Sequence, residues 1–318
     1  MQHLSVIATS VVRASQKGES HGGIYLVDLI AGTSKIILDW EEMNIDWSGR
    51  GLDRGLRGIA FNKGKTYIAA SDEIFVFDTD FKIIKTWKNP YLKHCHEIFS
   101  DGDILWITST GYDSIIGFDM KHERFTKAFC LRYNLFDKIR KKLFKELLPN
   151  LSCFDPSRSN GPEQADTLHI NCVSVHDNNL YFSGTRLNSL IRYDGHRIFR
   201  FASIPMSTHN VRPYKGGILF HYTKKDKILH MDLNGHVLED WILPTYDEND
   251  IMNIDLPDKY ARQRFGRGLC TIDNGFIIAG SSPATVSLYR HNKKDPIMSV
   301  NISMDVRNAV HGLEVYPY

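Results

Sequence analysis

The stretch that decides the fold runs from Thr167 to Ser203 and reads TLHINCVSVHDNNLYFSGTRLNSLIRYDGHRIFRFAS. It contains an apolar strand, a turn at Asp177 to Asn179, and a second strand that ends at Gly184. A short loop then leads to a third strand running into Asp194 and a fourth from Arg197. Four short strands separated by turn residues form one unit that cannot bury both of its faces alone. Its first strand opens on His169, where a core strand would normally open on an apolar side chain.

The same unit recurs. LRGIAFNKGKTYIAAS from Leu56, CHEIFSDGDILWITST from Cys95, THNVRPYKGGILFHYT from Thr208 and GRGLCTIDNGFIIAGS from Gly266 each pair two strands across a turn, and each is followed by a third and a fourth strand. Five complete units therefore begin near Arg57, His96, His169, His209 and Arg267. The C-terminal AVHGLEVYPY supplies a lone first strand, and LSVIATSVV, GGIYLVDLI and SKIILDW at the N-terminus supply three more. The pattern predicts an all-β, six-bladed β-propeller spanning residues 1–318 as one domain, closed by pairing the N- and C-terminal strands in one blade. Closure of this kind removes open sheet edges.

Equivalent strands start 39 or 40 residues apart in the compact units, but 73 apart from His96 to His169 and 58 apart from His209 to Arg267. The excess lies in connections 41–56, 131–168 and 243–265, each joining the fourth strand of one blade to the first of the next. All three are expected on the face where the innermost strands begin, and long loops on a compact scaffold commonly carry function. Within them, DKIRKKLFKEL (Asp137 to Leu147) reads as a helix with a solvated face, and the acidic YDENDIMNIDLPD (Tyr246 to Asp258) as a lid over the ring or a charge run that serves solubility.

Composition bounds the function. The chain is 42% apolar and 24% charged, as a soluble globular protein is, and its net charge of +2 gives no footprint for nucleic acid. No stretch reaches the roughly 18 apolar residues that span a bilayer, and the N-terminus lacks the charged start and long apolar run of a secretory signal. Five cysteines without CxxC spacing fit neither a disulfide framework nor a zinc knuckle. These features predict a cytoplasmic protein, with no nucleic-acid or membrane partner.

Aligning the units places six residues at one position, the entrance of the innermost strand: Arg57, His96, His169, His209, Arg267 and His311. Inner strands surround the axis of a propeller, so these side chains should converge where the channel opens. Any one histidine there would pass as a satisfied strand end; four histidines and two arginines at six equivalent positions point to chemistry. His96, His169, His209 and His311 could bind a divalent transition metal such as iron, manganese or zinc at about 2.0 to 2.2 Å. Arg57 and Arg267 stay protonated, cannot ligate, and suit an anionic small-molecule substrate. Without metal, His169, His209 and Arg267 are the candidates for nucleophilic or acid/base catalysis. Glu97, Asn171 and Asn210 are neighbours that could hold the imidazoles. Tyr112 with Asp113, Arg186 with Asn188, Lys224 with Lys225, and Ser281 with Ser282 occupy loops expected on the same face, with Arg186 and Tyr112 taken as further substrate contacts. His21, His176, His196 and His236 lie off the repeated position.

The blades LHINCVSVHDNNLYFSGTRLNSLIRYDG, THNVRPYKGGILFHYTKKDKILHMDLNGHVLEDW and AVHGLEVYP resemble those of arylsulfotransferase-type propellers. That resemblance implies channel positions for His169, His209 and His311 and anion contacts at Arg186 and Arg267. The repeated RGL starts, the strand LWITST and the insertion ahead of LHIN also resemble an uncharacterised bacterial propeller family, which implies a fold and no activity. Three functions stay open: a metal-dependent enzyme on an anionic small molecule, a metal-free histidine-based transferase or lyase, and a propeller that only binds a ligand or protein.

Overall fold

A computed structural model describes residues 4–41, 55–134, 147–258, 261–272 and 275–318. Six antiparallel sheets stand around an axis, each with its sequence-first strand innermost except in the blade that joins the termini. Blade 1 comprises strands Ile59–Asn62, Lys65–Ala70, Glu73–Phe77 and Ile83–Lys88. Blade 2 comprises Ile98–Asp101, Ile104–Ser109, Ser114–Asp119 and Arg124–Arg132. Blade 3 is Ile170–His176, Asn179–Gly184, Ser189–Tyr193 and Ile198–Ser203; blade 4 is Thr208–Tyr214, Gly217–Tyr222, Lys227–Asp232 and Val237–Ile242. Blade 5 is Arg267–Ile272, Phe276–Ser281, Thr285–Arg290 and Met298–Asn301. Blade 6 has Asn308–Val315 innermost, followed by Ser5–Val12, Gly23–Asp28 and Thr33–Asp39. The expected pairing of the chain ends holds, with Val6 opposite Val315 and Val12 opposite Asn308.

The strands form where β-branched and aromatic residues alternate between two apolar faces, and each face is covered by the neighbouring blade. Six buried clusters result, one per interface. Ile107, Ile116 and Phe118 meet blade 1 residues such as Tyr67 and Ile74, and Phe182 and Ile191 meet Trp106 and Phe129. Phe220 and Met231 meet Cys172 and Leu190. Tyr289 and Ile277 meet Trp241 and Ile228, Val286 meets Val6 and Val27, and Ile7 and Ile24 meet Ile68 and Phe77. The innermost strands approach closely enough to hydrogen-bond across blades, Gly58 N donating to His96 O at 2.8 Å. Glycine is required there: a Cβ on Gly58 would lie 2.4 Å from His96 O, and one on Gly312 would lie 2.2 Å from Arg57 O.

The connections add features the repeat did not foretell. Connection 131–168 contributes a fifth strand to blade 2, Asn150–Phe154, paired outside Arg124–Arg132. The segment read as a helix, Asp137 to Leu147, lies outside the described residues apart from Leu147, as does most of connection 41–56. Connection 243–265 is docked rather than free. Met252 bridges Asp305, Ile251 packs on Ala261 and Val306, and Tyr246 and Gln263 exchange two hydrogen bonds. Its acidic stretch is thus a strap, and its last residue, Phe265, reaches the channel mouth.

Ile7 is fully buried in the strand that joins the two chain ends and packs between blades 6 and 1. Ile7→Ala should cost about 2–5 kcal/mol of stability in urea unfolding, the range for a large-to-small change in a packed core.

Candidate functional site

The repeated position sits at a local irregularity. In blades 3, 4, 5 and 6 the pairing between the innermost and second strands slips by one residue at Ile170/Cys172, His209/Arg212, Arg267/Leu269 and Val310/Gly312. A bulge of this kind re-aims side chains, here toward the axis. His169 and Asn210 accordingly adopt left-handed backbone, with φ of 55° and 54°. His96, His209, Arg267 and His311 line one cavity together with Glu97, Asn171, Asn210 and Glu314. The ring of His96 lies 5.4 Å from that of His169 and 5.9 Å from that of His311, centroid to centroid. His96, His209, Arg267 and His311 therefore converge on the cavity as expected of the repeat, while His169 stands beside His96 and outside the cavity lining.

Hydrogen bonding sets the imidazoles' tautomers. His96 Nδ1 lies 2.7 Å from His94 O, which can only accept, and 2.9 Å from Thr110 Oγ1, whose own proton goes to Ile170 O. Nδ1 therefore carries the proton and Nε2 presents a lone pair. His169 Nδ1 faces both oxygens of Asp166, at 3.0 and 3.1 Å, which likewise leaves Nε2 as the basic nitrogen. Arg186 Nη1 contacts the same carboxylate at 3.0 Å. Neither ring nitrogen of His209, nor Nε2 of His311, has a hydrogen-bond partner among the described residues. Buried polar atoms left so are costly unless a ligand or water meets them.

A buried carboxylate holds this corner in place. Asp113 is fully buried, and its Oδ1 accepts from Leu168 N and His169 N, both at 3.0 Å. Its Oδ2 accepts from Thr167 N at 2.7 Å, Thr167 Oγ1 at 2.6 Å and Arg132 Nη1 at 2.8 Å. The end of connection 131–168 and the strained start of the His169 strand are thereby tied to blade 2.

The electrostatics keep bases neutral beside fixed cations. Burial pushes the His96 imidazole well below its ordinary value, with Arg57, His169, Arg267 and His311 adding to the shift. Burial and then Arg267 do the same to His209 and His311. Behind them, burial lowers His221 to about 4, although its hydrogen bond to Gly268 O opposes the shift. Burial alone would raise the Asp166 carboxyl, but the hydrogen bond and charge of His169, with Arg186 beside them, outweigh it and hold the group below its usual range.

Other candidates are placed differently. Arg57 is almost wholly buried and donates to Cys95 O at 3.1 Å, so it acts on the mouth through its charge. Tyr112 turns away and packs edge-on against Tyr91, 5.5 Å between centroids. Lys224 and Lys225 are exposed, and Ser282 Oγ donates to Arg262 O. Two residues at the mouth escaped the sequence reading. Asp166 stands three residues before His169, inside a connection with no repeat to align. Phe265 has Arg13, Arg267 and Arg262 at 4.3, 4.8 and 5.6 Å from its centroid and His209 at 6.0 Å. Among the described residues no three His, Cys, Asp or Glu side chains are grouped as metal ligands require.

No family model matches the chain, and no curated protein matches it. Among solved structures, a Bacteroides caccae protein of unknown function superposes with a TM-score of 0.57 at 8% identity, covering 99% of this chain and all of that one. Virginiamycin B lyase from Staphylococcus aureus superposes with a TM-score of 0.39 at 10% identity, covering 76% of this chain and 71% of its own. A catalytically inactive variant of that lyase with quinupristin gives 0.41 at 12% identity, with 78% and 73% covered. At these identities the likeness to the Bacteroides caccae protein is one of fold alone; the six-bladed propeller expected from the repeat is shown by the six sheets themselves. Among the described residues no helix is long and apolar enough to cross a membrane.

Two outcomes are expected. Asp113→Asn loses an ion pair and an acceptor for Thr167, and should lower stability by about 2–4 kcal/mol in urea unfolding. The histidines whose folded pKa is lowered stay neutral in the fold, while the unfolded chain takes up protons below about pH 6.5. Stability present above that pH should therefore be lost as the pH falls toward 4, visible as a declining melting temperature.

Proposed function

We propose that this propeller is an enzyme acting on an anionic small molecule at the channel mouth, by histidine-based acid/base or group-transfer chemistry that requires no metal. The observation that carries the reading is the Asp166–His169 pair, set against neutral imidazoles and the Arg267 guanidinium. The carboxylate fixes the His169 tautomer, so Nε2 is the general base, and it stabilises the imidazolium once a proton has been taken. Arg267, with the buried charge of Arg57 behind it, binds the substrate's acidic group and offsets charge that develops during reaction. His209 and His311, with open nitrogens on the same cavity, are placed to return the proton or to take a transferred group. Elimination from a carboxylate and transfer of a sulfuryl or phosphoryl group both fit; the second also accords with the arylsulfotransferase-like blades. Arg186 is a positioning residue acting through Asp166.

The second reading is a metal enzyme. Lone-pair nitrogens on His96, His169, His209 and His311 favour it, and they would hold iron, manganese or zinc as a Lewis acid for the anionic substrate. The absence of a three-ligand grouping among the described residues weighs against it. A cytoplasmic setting is part of the proposal, supported by five cysteines that form no disulfide.

The test is a panel of sulfate esters, phosphate esters and β-substituted carboxylates, run with protein purified without a histidine tag. Turnover of one class is expected with less than about a tenth of an equivalent of bound metal. His169→Ala should lower that rate by about 10²–10⁴-fold. Asp166→Asn should lower it less and shift the pH–rate profile. A full equivalent of transition metal whose removal abolishes turnover would establish the metal reading instead. Absence of turnover together with sulfate binding that Arg267→Ala abolishes would leave a binding propeller.

A further inference from the structure

The channel continues past the ring. Its wall passes Glu97, Asn171 and Asn210 to Glu314, and Glu314, Ile59 and Ile98 also line the cavity beside Phe61, Ser100 and Pro317. Those last residues lie at the far ends of the innermost strands, so Glu314 stands where the mouth-side and opposite-side cavities meet. Its surroundings can be named strand by strand. Blade 1 presents Ile59 and no charge; blade 2 presents Glu97, blade 3 Asn171 with Cys172 near Glu97 rather than Glu314, blade 4 Arg212 and blade 5 Cys270.

Glu97 is fully engaged, accepting from Arg212 Nη2 at 2.9 Å, Asn210 Nδ2 at 3.2 Å and Val173 N at 3.3 Å. Burial keeps the Cys172 and Cys270 thiols protonated. The Glu314 carboxyl has no hydrogen bond or ion pair among the described residues, and the nearby guanidinium of Arg212 already belongs to Glu97. With Glu97 ionised, a state that burial opposes and Arg212 and the hydrogen bonds favour, the channel floor is neutral when Glu314 holds a proton and carries one net negative charge when it does not.

We propose that Glu314 is a proton-binding site in the channel that sets the affinity of the mouth for its anionic ligand, tight when protonated and weak when ionised. The proposal rests on the anion-binding reading of the mouth. Burial raises this carboxyl to about 7, against the pull of Arg212 and with the push of Glu97, so the change falls at neutral pH. Below that value the carboxyl is neutral and an anion above it meets only the arginines; above it the anion meets a carboxylate as well. Glu314 lies three residue steps along the strand from His311 of the ring, roughly 10 Å. Two charges at that distance, at an effective dielectric between protein and water, change affinity by about twofold to tenfold.

Sulfate serves as the probe, with binding measured by calorimetry at about pH 6 and about pH 8 in the wild type and in Glu314→Gln. The wild type should bind more weakly at the higher pH, and by about twofold to tenfold more than the variant does. Infrared difference spectra of the wild type alone should show a protonated carboxyl band disappearing across the same interval. Sulfate affinity with equal pH dependence in both proteins, or no such band, would overturn the role of Glu314 while the anion site stands. If sulfate fails to bind at either pH, the anion reading of the mouth fails, whatever the infrared band reports.

Discussion

A blade of four short strands has two apolar faces and only its neighbours to cover them. This one constraint organises the molecule. Six interfaces must all be filled, which draws the blades into a ring and forces the last blade to be made by strands from opposite ends of the chain. The ring leaves an axis, and the innermost strands meet there so closely that Gly58 and Gly312 cannot carry a side chain. What faces the axis is then decided by a few bulged residues at the strand entrances. The bulges cost pairing in the sheet, and in return they turn His169, His209, Arg267 and His311 out of the interblade cores toward a common space.

Much of this was legible in the sequence because it repeats. The blade boundaries, the joined termini and the members of the ring follow from aligning one position across units. What did not repeat was not legible. Asp166 lies in a connection with no counterpart elsewhere, and its value comes from a contact with His169 that spacing alone does not imply. Phe265 closes another such connection, and only the docking of Ile251 and Ala261 on Val306 brings it against His209 and Arg267. Alignment also treats equivalent positions as equal, which they are not: Arg57 is directed to a backbone carbonyl while Arg267 lines the cavity. Tyr112 illustrates the converse, since a loop on the correct face can still turn its side chain into the packing beside Tyr91.

Asp113 links these levels. A carboxylate buried without partners would be strongly destabilising, yet this one accepts five hydrogen bonds, four of them from three consecutive residues leading into His169. The left-handed backbone at His169 is affordable because that anchor over-determines it. The imidazole is thereby held with one nitrogen on Asp166 and the other free, an orientation that a freely rotating side chain at a strand end would not keep.

The charge pattern along the axis follows from the same geometry. Burial strips protons from imidazoles, whereas arginine keeps its charge at any accessible pH, so a mouth built from both is basic in two senses at once. It offers lone pairs for proton transfer and fixed positive charge for an anion, without the two cancelling. Deeper in, Glu97 engages the guanidinium of Arg212, and the Glu314 carboxyl is left without a partner where the two cavities meet. On the proposed reading, neutral bases, fixed cations and a titrating acid at successive depths distinguish this channel from a merely polar, water-filled one.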